Sequence, residues 1–442
     1  MASMLRDFGA TFGSRMVVMV IGLGTQSCLA WFLEPSGRGA YAVCLVFAAL
    51  LSLVFMLGSD VACIYYVASK KFSLSQGVVQ AVISGAMGSV LAVAAGLVLL
   101  QLPLEFREKA DRGSFHLALA SIPIAFYAGT FYNLFVALGD FGWMAGVSLV
   151  TAVCQLALIL LLVPGLGLGV NGALGAMIAN HVLTIFIALA VFRRRRGLAW
   201  VKPTVAGLWD TLRYGVRYYV GKVSNEVNLQ MGTIVLSLFA TREAIGLFDM
   251  AAQLTSRALT VPDSLATVLI PRVAGDPKGR PEQVAQCSRV ALLVCGILLV
   301  LLLVLAPWVV PILFSPKFIP SVPLIQILTA GVLVRSASKI FATYLVCTNR
   351  PGIASVATAA GMVVNLGLLV GLMPVIGLAG AAVAMTGNYL ISSAILTAAF
   401  HRASRMGLRE AWRPRRSDWA ELLGRLWRRV RGRPATAGPG DP

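Results

Sequence analysis

Charge is what this sequence has least of. Aspartate and glutamate together number 18 in 442 residues, lysine and arginine 37, and only 12% of the chain is charged. A soluble globular domain carries roughly a quarter charged residues, so that class is excluded. Histidine is nearly absent as well: His116, His181 and His401 lie far apart and match no metal-ligand spacing. The seven cysteines form no C-x-x-C pair, and all but Cys287 fall within apolar runs. They read as small hydrophobes, with neither a disulfide framework nor a metal site. No G-x-S-x-G, Walker A or H-E-x-x-H pattern occurs. The sequence is therefore expected to be no enzyme, to need no bound metal or cofactor, and to draw on ATP through no site of its own.

What is there is apolar surface. Hydrophobic residues make up 58% of the chain and its mean hydropathy is +0.82. Apolar runs of roughly 20 residues, enough to cross a bilayer as helix, predict twelve spans near 10–33, 40–67, 76–101, 115–138, 143–163, 170–192, 212–240, 245–271, 286–314, 320–347, 352–374 and 378–400. The first is too long for a signal-peptide core and lacks a small-x-small site before Glu34-Pro35, so it reads as a mature helix. Basic residues crowd one set of loops: Lys70 and Lys71, Arg193 to Arg196, Arg272, Lys278 and Arg280, and eleven arginines after His401. The other loops hold only Arg38, Arg107, Lys109, Arg112, Arg242 and Lys317. This asymmetry places both termini in the cytoplasm.

The chain also repeats itself. "GVNGALGAMIAN" (Gly169 to Asn180) returns at an offset of 208 as "GLAGAAVAMTGN" (Gly377 to Asn388). "LAWFLEPSGRGAYA" (Leu29 to Ala42) aligns at an offset of 207 with "LSLFATREAIGLFD" (Leu236 to Asp249). Two patches at nearly one offset, each at the equivalent loop and span, indicate a duplication. With six spans in each half, the halves enter from the same side and are parallel repeats. The expected fold is an all-α polytopic membrane protein of about twelve helices, in two six-helix lobes around a central cavity. The lobes would be 1–195 and 212–400, joined by a cytoplasmic linker at 196–211 and followed by a basic tail at 401–442.

Ionisable residues within spans are expensive and hence candidates for function. The candidate cations are Arg15, Arg217, Lys222, Arg257, Arg335 and Lys339; the candidate acids are Asp60, Glu226, Asp249 and Asp263. Arg335 and Lys339 stand four apart on one helix face, an arrangement suited to an anion held between them. Lys222 and Glu226 have the same spacing and could neutralise each other, and Arg217 could snorkel to the surface. A cationic cavity suits a phosphate-bearing substrate, whereas one for organic cations should be acidic and aromatic. Asn225, Asn228 and Gln230 in the seventh span, like Gln26 and Ser27 in the first, supply polar groups to the leading helix of each half. In the tail, apolar residues at helical spacing across about 417–431 alternate with arginine, which predicts an amphipathic helix on anionic lipid rather than a nucleic-acid site.

The stretch from Phe8 through Ala68, with "LRYGV" (Leu212 to Val216), "AIGLFDMA" (Ala244 to Ala251), "LIPRVAG" (Leu269 to Gly275) and Asn349 to Leu390, resembles the bacterial polysaccharide flippases. These form the polysaccharide-export branch of the multidrug/oligosaccharidyl-lipid/polysaccharide exporter superfamily. The resemblance covers about residues 8 to 400. It implies alternating-access transfer of an undecaprenyl-diphosphate-linked oligosaccharide, an O-antigen or exopolysaccharide repeat unit, across the bacterial cytoplasmic membrane. It further implies that cavity cations receive the diphosphate. Arg15, within "GSR", matches best, with Arg257, Arg335 and Lys339 beside it. Asp60, Glu226 and Asp263 are the candidates for coupling to a proton or sodium gradient. The seventh span departs from the family's frequent mid-helix acid, having Asn228, Leu229 and Gln230 there. Expected partners are the lipid-linked oligosaccharide, anionic lipids, and a polysaccharide polymerase with its chain-length machinery. The alternatives are a cation-coupled drug exporter of the same superfamily and a polytopic polymerase or glycosyltransferase.

Overall fold

The computed structural model describes residues 2–103, 105–199, 201–274, 281–348, 350–407, 410 and 412, with side chains described except at 2–15, 217–229, 231, 267, 268, 270–272, 274 and 351. The described residues are predominantly helical and contain no strand. Thirteen α-helices follow one another: α1 (Ala2–Met56), α2 (Ser59–Ala68), α3 (Leu74–Leu99), α4 (Arg112–Ala137), α5 (Phe141–Leu160), α6 (Gly169–Arg196), α7 (Val205–Phe239), α8 (Arg242–Ser256), α9 (Thr260–Ala274), α10 (Pro281–Phe314), α11 (Val322–Cys347), α12 (Pro351–Ile376) and α13 (Leu378–Ser404). Among the described residues nine are long and apolar enough to cross a membrane.

The helices and the expected spans correspond in order, and the breaks account for thirteen helices against twelve spans. The apolar part of α1, Met16–Met56, is 41 residues long. At about 1.5 Å per residue it is twice what a core of about 30 Å requires. It is broken at Glu34, where φ is 57° and ψ 175° and where Pro35 supplies no N–H to the helix ladder. That backbone conformation favours glycine and costs about 1–3 kcal/mol in other residues. The first two spans are therefore the two arms of α1. The second is interrupted again at Leu57 and Gly58, both at positive φ, before α2. The eighth span is likewise two helices, α8 and α9, joined through a 3-10 turn at Arg257–Leu259. α7 starts at Val205, within the stretch read as a linker, because Thr204 caps it by accepting from the Gly207 N–H at 3.3 Å. The linker itself is tied down: the Ala199 N–H donates to Ser75 Oγ at 3.2 Å and Gln80 Nε2 to the Thr204 carbonyl at 3.2 Å.

The chain divides into two compact units, one comprising 1–250 with 307–322 and the other 251–306 with 323–442. The covalent repeat and the compact units thus part the chain at different places. In the first unit Phe131, Leu134 and Phe135 of α4 pack with Phe192 of α6, the Phe135 and Phe192 rings lying 4.8 Å apart. At the end of α6, Arg196 makes a bidentate contact with Asp140 (2.6 and 3.2 Å), and Arg195 lies over Trp143. In the second unit Ile340, Phe341 and Tyr344 of α11 pack on Leu396 and Phe400 of α13, with Phe341 and Phe400 stacked at 4.5 Å.

The doubled "GVNGALGAMIAN/GLAGAAVAMTGN" motif does the same job twice. Gly169 and Gly377, its first residues, both take positive φ, 53° and 58°, to turn the chain into α6 and α13. Three residues on, a methyl group at Gly172 would lie 2.7 Å from the Leu162 carbonyl oxygen, and one at Gly380 2.8 Å from that of Leu372. Each motif is the hairpin through which the last helix of a half closes against the helix before it.

Candidate functional site

The expected cations and acids separate into those the structure brings together and those it does not. In the second unit, α11 carries both Arg335 and Lys339. Lys339 Nζ lies 2.5 Å from Asp263 Oδ1 on α9, both side chains being partly exposed. The lysine read as half of an anion cradle therefore already holds an anion, the carboxylate considered for ion coupling. Arg335 is held differently. Its guanidinium carbon lies 4.7 Å from the centre of the Tyr389 ring on α13, and Tyr389 is only 2% exposed. A cation over an aromatic face gains about 0.5–1 kcal/mol when exposed and about 2 kcal/mol when desolvated, and the half-buried Arg335 falls between these limits. The buried Nε of Arg335 has no hydrogen-bond partner among the described residues. About one turn further along the same two helices, the buried Ser338 and Ser393 share a hydrogen bond of 2.7 Å. Arg335 is thus oriented by an aromatic ring that takes up none of its N–H donors, which suits it to bind an anion through them.

Arg257 occupies the 3-10 turn between α8 and α9, half-buried, rather than the middle of a regular helix. Asp60 stands in the first turn of α2 in the first unit, also half-buried, where the positive end of the helix dipole favours a carboxylate. The side chains of Arg15, Arg217, Lys222 and Glu226, with Asn225 and Asn228, lie outside the described residues. So does the tail helix near 417–431.

The sequence reading passed over two groups. Tyr389, within "GNYL", looked like an ordinary apolar-helix residue, since a cation–π partner 54 positions away leaves no local signature. Arg38 counted as a loop cation, yet it is 2% exposed and pairs with Asp249 at 3.3 Å in the first unit. The Glu34-Pro35 break hid it, because a loop was expected where the helix resumes at once.

Helices of this number, length and order define a multi-pass membrane protein. The same fold occurs in a solved multidrug-resistance MATE-family transporter of the MOP superfamily in an inward-facing conformation (TM-score 0.70, 14% identity, covering 90% of this chain and 99% of that one). It occurs also in the lipid II flippase MurJ in an inward closed conformation (TM-score 0.72, 14% identity, covering 97% and 100%). At these identities the likeness speaks for the fold. Membership comes from the sequence: residues 4–275 match the family described as polysaccharide biosynthesis protein, and the chain belongs to that family. A curated relative, the probable low-salt glycan biosynthesis flippase Agl15 of Haloferax volcanii, is 22% identical over 234 residues, 52% of this chain. The matched stretch spans about half of that relative, 49% of its length.

Proposed function

We propose that this protein is a flippase that carries a lipid-linked oligosaccharide across the bacterial cytoplasmic membrane, the lipid being undecaprenyl diphosphate. Family membership supports a cargo of the polysaccharide pathway, and Arg335 carries the reading at the level of the site: its guanidinium is held by Tyr389 while its buried Nε is left unpaired. A diphosphate supplies the oxygens such a group lacks, through charge-assisted hydrogen bonds. Lys339 joins it by exchanging Asp263 for a phosphate oxygen, and Arg257 adds positive charge in the same unit; Arg15, Arg217 and Lys222 are the further candidate cations of the sequence.

In this reading the two repeats, 1–195 and 212–400, rock about the 196–211 linker and expose the headgroup first to the cytoplasm, where both termini lie, and then outside. A proton or sodium gradient drives the cycle through Asp263, Asp60 or Glu226. No covalent bond is made or broken. The basic tail rests on anionic lipid, and the polymerase with its chain-length machinery takes up the exported units.

The test is to neutralise Arg257, Arg335 and Lys339 singly and together in a strain that depends on this gene product, then measure surface polysaccharide and lipid-linked precursor. Arg335→Ala is expected to lower export about tenfold or more, the equivalent of about 1.4 kcal/mol or above for a lost charged hydrogen bond. Precursor should accumulate on the cytoplasmic leaflet. Normal export by a stably inserted triple variant would overturn the site. Unchanged polysaccharide with heightened drug sensitivity in a deletion strain would favour the drug-exporter alternative.

A further inference from the structure

The second repeated patch, Leu29 to Ala42 and Leu236 to Asp249, plays no part in the cation site. In the first unit its two copies meet. A methyl group at Gly39 would lie 1.7 Å from the Arg242 carbonyl oxygen, and one at Gly246 would lie 1.9 Å from the Pro35 carbonyl oxygen. The offset of 207 pairs Gly39 with Gly246 and Pro35 with Arg242, so each copy presses its glycine onto the equivalent carbonyl of the other. Such reciprocity is the mark of a two-fold contact, here between the halves of one chain. Backbone meets backbone at this crossing, and no side chain larger than hydrogen fits between.

Polar contacts surround the crossing, three of them between the repeats. Arg38, one residue before Gly39, donates from Nη2 to Gln26 Oε1 at 3.0 Å, and its Nε lies 3.3 Å from Asp249 Oδ2. That last contact has the distance of an ion pair without the alignment of a hydrogen bond. Lys317 Nζ lies 2.5 Å from Glu34 Oε1 at the break in α1. Ser27 Oγ donates to the Leu313 carbonyl, and Ser321 Oγ to that of Leu247 at 3.1 Å. Gln26, Ser27, Glu34 and Arg38 belong to the first half of the sequence; Leu247, Asp249, Leu313, Lys317 and Ser321 belong to the second. Two of these ties have opposite charges facing each other across the repeats, and the Arg38 side chain is 3% exposed. A cation so deeply buried is held by its partners and loses them together.

We propose that this seam is a gate, latched by the Arg38–Asp249 pair and opened when the two copies of the repeated patch part at Gly39 and Gly246. Resting on the flippase reading, it assigns these residues the closure of the pathway at the end of the bundle opposite Arg193–Arg196. Parting the copies exposes Arg38 and Asp249 to water, which solvates both charges, so the latched and open states each satisfy them. Lys317–Glu34, at the exposed rim, adds register more than hold, since its side chains are 58% and 54% exposed.

The test places spin labels, as non-canonical amino acids, at the exposed positions Ser36 and Glu243 on the two copies of the patch in the full-length protein in lipid nanodiscs, and reads the distance between them. The parent should give one short distance. Asp249→Asn should add a population at longer distance, and the charge-exchanged Arg38→Asp/Asp249→Arg variant should return the distribution to the short one. If Asp249→Asn inserts poorly, Arg38→Gln/Asp249→Asn, which strands no charge, is read in its place. A distribution in the neutralised variant identical to the parent's would overturn the latch. The distance reports the seam without any cargo, so loss of the flippase reading through normal export by the Arg257, Arg335 and Lys339 variants would leave this result interpretable.

Discussion

Arg335 and Lys339 began as equivalent residues, four apart on one helix, and their environments made them different. Lys339 is neutralised by Asp263, whereas Arg335 lies on Tyr389 with an unpaired Nε. Removing the ring while keeping its bulk therefore tests orientation apart from packing. Tyr389→Phe keeps the aromatic face and should export at near the parental level. Tyr389→Leu gives up about 1–2 kcal/mol of cation–π attraction and should lose most export while inserting normally, read as surface polysaccharide against protein in the membrane. Arg38 is the opposite kind of residue, a buried charge held by its ion-pair partner in the closed seam. Arg38→Ala removes one partner of a buried ion pair and should destabilise the folded protein by about 3–5 kcal/mol, seen as a lowered melting temperature in detergent.

At the scale of elements, the informative places are where helices stop being regular. Glu34 holds a backbone conformation that costs about 1–3 kcal/mol without glycine, and its compensation is a half-exposed pair with Lys317 worth about 0–1 kcal/mol. Glu34→Gly should thus raise the melting temperature modestly, even though it deletes an ion pair. A fall would show that the pair outweighs the strain. The hairpins at Gly172 and Gly380 predict the reverse sign. Either glycine changed to alanine forces a methyl group into carbonyl contact at 2.7 or 2.8 Å. Each should cost about 1–3 kcal/mol by overpacking, and because the motifs are equivalent the two losses should be similar.

For the whole molecule, the tail offers a test that leaves the helical body alone. Deleting residues 413–442 removes eight arginines following Trp412. On the proposed reading the parent, reconstituted in mixed bilayers, should enrich anionic over neutral lipid around itself, by up to about 1 kcal/mol for each arginine near the surface, and the truncated protein should enrich it less, with the difference shrinking at high salt. Equal enrichment before and after truncation would remove lipid from the tail's partners.

The sequence by itself determined the helical class, the order of the crossings and the duplication, because hydropathy and repeat offset are properties of neighbouring residues and survive without any knowledge of contacts. It also determined where the doubled glycines stand. Only the tertiary structure decided what those positions do: that Gly39 and Gly246 touch each other's carbonyl partners, that the break at Glu34 makes Arg38 a buried residue, and that Asp263 rather than Tyr389 takes the lysine. These outcomes depend on pairs 54 to 211 positions apart, such as Arg335 with Tyr389 and Arg38 with Asp249. Periodicity along one helix is blind to the charge or ring that another helix will bring to its face.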